Sequence, residues 1–77
     1  MTKDDFKEWA DRILKANGII PEQRFKTMHQ MIETNAEIIL RKEYFKDRSF
    51  NDASILKKEE AVFNDLFWGY IGSYRQV

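Results

Sequence analysis

Hydrophobic positions recur along this chain at helical spacing, in three blocks separated by polar turn residues. In the first block Phe6, Trp9, Ala10 and Ile13 share one face, with Leu14 and Ala16 on its shoulders. Thr2 stands where an N-cap belongs, and Asp5 follows three residues later as an acidic version of the capping box. Early carboxylates also suit the positive end of the helix dipole. Glu8 with Arg12 and Asp11 with Lys15 are acid-first i,i+4 pairs, each expected to contribute ~0.2–0.5 kcal/mol. Asn17-Gly18 ends the block, because glycine adopts the left-handed conformation that closes a helix at little steric cost.

Ile19-Ile20 is the connector, expected to be buried in the corner, and Pro21 sits in the first turn of the second block, where proline is favoured. From Glu22 to about Arg48 there is neither glycine nor proline, so one continuous helix is expected. Phe25, Met28, Ile32, Ala36, Ile39 and Leu40 form its core stripe. Met31, Ile38 and Phe45 form a second stripe at strict seven-residue spacing. At 1.5 Å per residue such a helix is about 40 Å long against about 20 Å for the first. A short first helix cannot cover the second stripe over its whole length.

Asp47 to Ser54 reads as the second loop, with Phe50 folding back as an apolar plug. Ser49, Asn51, Asp52 and Ser54 are all competent N-caps for the third helix, which runs from about Asp52 to Tyr74. Its later part is the most apolar stretch of the chain, and Asp65 is the only charge from Val62 to Tyr74. Leu56, Phe63, Phe67, Tyr70 and Tyr74 share one line, flanked by Ile55, Val62, Leu66, Gly69 and Ser73. That arc covers about half the cylinder, which implies contact with more than one neighbour. Strand signals, repeats and linkers are absent. Residues 1–77 are expected to form a single all-α domain, a three-helix antiparallel bundle with a short first helix and two longer ones.

Composition narrows the possibilities. With no cysteine there is no disulfide or thiolate metal site, so hydrophobic burial carries stability in a chain of 77 residues. Aromatics at 14% supply large buried surfaces, while 13 acidic and 13 basic side chains cancel, unlike a dedicated nucleic-acid binder. The amino-terminal segment lacks the apolar core of a secretory signal, and no apolar run reaches the ~20 residues needed to cross a bilayer. A cytoplasmic protein without membrane association is the resulting expectation.

Catalytic and cofactor constellations are absent from the pattern: no nucleophile with a base in reach, no glycine-rich phosphate loop, no paired histidines. A bundle this small also leaves little room for the ~300 Å³ of a small-molecule pocket. His29, the single histidine, has only Glu33 and Glu22 as carboxylates on its face, which makes a weak metal site. No enzyme activity, cofactor, metal or small-molecule substrate is therefore expected. One alternative is nucleic-acid binding. Gln23, Arg24 and Lys26 open the second helix with base-reading side-chain types, and Arg41, Lys42, Lys46 and Arg48 interleave with Tyr44 and Phe45. Glu43 and Asp47 reduce that second segment to a charge of about +2, too dilute to focus a strong field on phosphates.

The pattern favours a non-enzymatic protein-interaction module, a homodimer or a small regulator or inhibitor of bacterial or phage type that docks on a larger protein. Met31, Ile38, Phe45, Trp68 and Ile71 are the expected interface, since large apolar side chains left bare on a monomer form a patch that soluble proteins avoid. Trp68 projects off the core arc and lies either over the Lys57 and Arg75 stems or under another chain. For His29, replacement by Gln should change stability by less than ~1.5 kcal/mol in a thermal melt and release no metal. Stoichiometric zinc or iron lost with that change would show that the histidine is a ligand.

Overall fold

The computed structural model describes residues 1–24, 30–46 and 52–75, with side chains described for 1–22, 33–46 and 52–74. The chain is all-α: α1 spans Lys3–Ala16, a single turn α2 spans Pro21–Arg24, α3 spans Gln30–Phe45 and α4 spans Ala53–Arg75. The three principal helices, α1, α3 and α4, pack as an up-down-up bundle. Tyr44 reaches Glu59 while the earlier Arg41 reaches the later Asn64, so α3 and α4 are antiparallel. Phe6 meets Phe63 and Tyr70 while Asp11 meets Tyr70 and Tyr74, so α1 and α4 run the same way.

The ends of α1 form as local chemistry dictates. The Asp5 amide donates to Thr2 Oγ1 at 3.1 Å and the Thr2 amide donates back to Asp5 Oδ2 at 3.4 Å, closing the capping box. At the other end Gly18 has φ +80°, its amide donates to the Lys15 carbonyl, and the Ile19 amide donates to the Leu14 carbonyl. Those two bonds are the Schellman pattern, which turns the chain out of the helix. Ile19 then packs against the core, whereas Ile20 is exposed and Pro21 is fully buried. Only half of the isoleucine corner therefore forms, because the proline ring takes the buried place beside Ile19.

Of the expected second helix, its first turn and its run from Gln30 to Phe45 are helical, and residues 25–29 lie outside the described residues. The longest described helix is α4, with 23 residues against 14 for α1 and 16 for α3. Among the N-cap candidates of α4, Asp52 takes the role. Its Oδ1 accepts from the Ser54 amide at 2.8 Å and its carbonyl accepts from the Leu56 amide. Ser49, Phe50 and Asn51 lie outside the described residues.

The core is aromatic. Phe63 is its hub, with ring centroids 6.0 Å from Phe6, 5.4 Å from Tyr44, 6.0 Å from Phe45 and 5.9 Å from Phe67, the last pair stacked. Arg41 closes over the same ring at 5.1 Å. Leu14, Ala36 and Leu40 fill the space between the rings. Rings at such centroid separations add to simple area burial through edge-to-face electrostatics. Phe63→Ala removes a side chain that touches all three helices and should cost ~3–5 kcal/mol, close to the full stability of so small a domain. A largely unfolded far-UV circular dichroism spectrum is the expected readout; a cooperative melt near that of the parent would contradict the hub assignment.

Candidate interaction surface

A helix that buries one arc must expose the opposite one. On α4 the inward arc is Phe63, Phe67, Tyr70, Ile71 and Tyr74, all buried. Rotation about the helix axis is thereby fixed, and Ile55, Val62 and Trp68 face outward at 50%, 46% and 50% exposure. Ala61, Asp65 and Gly69 are exposed beside them. Three large apolar side chains on the outer side of one helix, with the exposed Lys58 and Asp65 on the line between them, form a mixed patch of the kind that marks interaction surfaces.

Gly69 and Gly72 belong to the same face. A methyl group added at either would meet nothing of this chain within 4 Å. Packing inside the bundle therefore gives no reason for glycine there, although each weakens the helix by ~1 kcal/mol relative to alanine. What the two glycines create is a strip of bare backbone next to the exposed Trp68 indole.

The expected interface is partly redistributed. Ile38 on α3 is exposed at 59%, in keeping with a second stripe, and Trp68 is exposed as expected. Ile71 is not available: at 1% exposure it is a core residue, because the actual rotation of α4 turns it inward. Phe45 also departs from the expectation, since it packs against the core with its ring 4.9 Å from Tyr44. The Met31 side chain lies outside the described residues. Trp68 meets Phe67 edge-on at 5.2 Å, and neither described cation–ring contact, Lys7 over Tyr74 or Arg41 over Phe63, involves it.

The basic segment is internally committed. Arg41 donates to Asn64 at 2.9 Å and pairs with Glu37 at 3.5 Å, while Lys46 pairs with Glu43 at 3.1 Å. Tyr44 is buried with its hydroxyl 3.3 Å from Glu59, so it offers no free ring face for a base, and Phe45 is half-buried against the Tyr44 and Phe63 rings. Lys42 is exposed; Lys26 and Arg48, like the side chains of Gln23 and Arg24, lie outside the described residues.

One cluster escapes the sequence pattern. Asp11 accepts the Tyr70 hydroxyl at 2.6 Å and the Tyr74 hydroxyl at 2.7 and 2.9 Å. The expected partner Lys15 pairs instead with Glu22 at 3.1 Å. Bonds to an ionised acceptor are roughly twice as strong as neutral ones, so this clasp ties the last turns of α4 to the middle of α1. The Glu22 carboxyl, at an exposed helix start, is held below its usual range by a backbone amide and then by Lys15. Its signal in the sequence was Tyr70 and Tyr74 at i,i+4 with polar ends needing a partner across the bundle, which helix periodicity alone does not supply.

A depression of about 210 Å³ lies between α1 and α4, lined by Lys3, Asp4, Lys7, Leu66, Gly69, Tyr70 and Ser73. It is smaller than ordinary small-molecule sites. His29 lies outside the described residues, and among the described residues no group of three or more potential ligands could hold a metal ion. No described helix is long and apolar enough to cross a membrane. Comparison with protein-family models, with curated proteins and with solved structures returned no match.

The clasp has a pH signature. Burial, and then the bond to Asp11, raise the ionisation of both phenols well above the ordinary tyrosine value. Folded chains then keep protons that unfolded chains release above about pH 10, so stability is level below that pH and falls as pH rises beyond it. Tyr70→Phe should lower stability by about 1.5–3 kcal/mol at neutral pH and flatten the alkaline fall, measured by thermal melts from neutral to strongly alkaline buffer. An unchanged alkaline slope would show that the phenol is not the titrating group.

Proposed function

We propose that this protein is a non-enzymatic interaction module whose working surface is the outer face of α4. The observation that carries the reading is the coincidence of Ile55, Val62 and Trp68 outside the core with two helix glycines that nothing in the bundle requires. Tryptophan beside smaller apolar groups is the composition of an interface hot spot. A bare backbone strip lets a second helix approach closely. The compensated cations of α3 support a protein partner over a nucleic acid, since phosphate binding needs a concentrated field. A small regulator or inhibitor that acts by docking fits this surface, and so does a self-associating protein.

Capture from cell extract tests the reading with two forms of the chain, the parent and a Val62→Asp, Trp68→Ala variant. Both changed residues are exposed, so the variant should retain its circular dichroism spectrum and melt within about 1 kcal/mol of the parent. Loss of a specifically retained protein, with little change between low and moderate salt, is the expected result. Identical capture by parent and variant would remove the α4 face from the account.

A further inference from the structure

The outer face of α4 repeats in sevens. Ile55, Val62 and Gly69 form one line, Lys58, Asp65 and Gly72 the next, and Ser54, Ala61 and Trp68 the third. All nine are exposed except Gly72, which is half-buried. We infer that this face binds a second copy of itself, the two α4 helices lying antiparallel about a two-fold axis beside Ala61 and Val62. The inference rests on the reading of α4 as the interaction surface and names its occupant.

Charge selects that arrangement, and side-chain size is compatible with it. In an antiparallel pair centred at Ala61 and Val62, Lys58 of each copy lies opposite Asp65 of the other, and symmetry makes the ion pair twice. Among the described residues Lys58 and Asp65 have no ion-pair partner within the chain, and their own separation of seven residues prevents them from joining each other. On one flank Val62 meets Val62 and the large Ile55 meets the bare backbone of Gly69. On the other flank Ala61 meets Ala61 and the indole of Trp68 lies over Ser54. Each bulky side chain is thus matched to a small residue, which is what Gly69 lacks inside its own bundle. A parallel pair in register would instead set Lys58 against Lys58 and Asp65 against Asp65. That arrangement is repulsive at both charges.

Sedimentation equilibrium of the purified chain is the test. Contact along one helix is smaller than a standard interface, so a dissociation constant on the order of micromolar is expected. Lys58→Asp places like charges opposite each other and should weaken association about tenfold or more. Adding Asp65→Lys to the same chain restores opposite charges and should bring association back toward the parent. Val62→Cys should form an intermolecular disulfide in air, because the residue meets its own copy at the axis, whereas Ile55→Cys should not. A parent that stays monomeric to about 500 µM overturns the inference, as does a double variant no better than the single one, or ready self-crosslinking through Ile55→Cys. If the parent is monomeric while capture of a foreign protein still depends on Val62 and Trp68, the second copy is excluded and the interaction reading stands; unchanged capture removes both.

Discussion

The rotation of α4 about its own axis is the constraint from which the other features follow. Burial of Phe63, Phe67, Tyr70, Ile71 and Tyr74 on one side leaves no freedom in which residues face water on the other. Phe63 sets the position across the bundle by touching rings of both neighbouring helices. With full burial of a large side chain contributing roughly 1.5–3 kcal/mol, a turned helix would lose several such terms together.

Polar contacts refine the geometry. Asp11 holds the hydroxyls of Tyr70 and Tyr74, which brings the carboxy-terminal turns of α4 against α1 although Gly69 and Gly72 weaken the helix there. Arg41 does the corresponding work on the other flank, spanning Glu37, Asn64 and the Phe63 ring. Anchors on both sides let the outer strip of α4 carry poor helix formers and still present a defined shape. Pre-ordering of this kind lowers the entropy lost when a partner binds.

The all-α class, the capping box at Thr2 and Asp5, the stop at Gly18 and the line from Phe63 to Tyr74 were all legible in the sequence, because each depends on local spacing. Ile71 and Phe45 were misplaced for one shared reason. A half-cylinder of apolar residues defines the buried arc only to within one line of side chains, and the neighbours decide which line turns inward. Tyr44 was read as part of a basic segment, yet its ring completes the core beside Trp9 and Phe63. The Asp11 clasp joins residues 59 and 63 positions apart, a separation to which helix periodicity is blind.

Acrylamide quenching of Trp68 fluorescence in a Trp9→Phe background tests the orientation of α4 most directly, because Trp68 is then the only indole. An outward-facing Trp68 is freely quenched by acrylamide in dilute solution. Shielding that persists at the highest dilution would place Trp68 inside its own bundle and contradict the assigned rotation of α4.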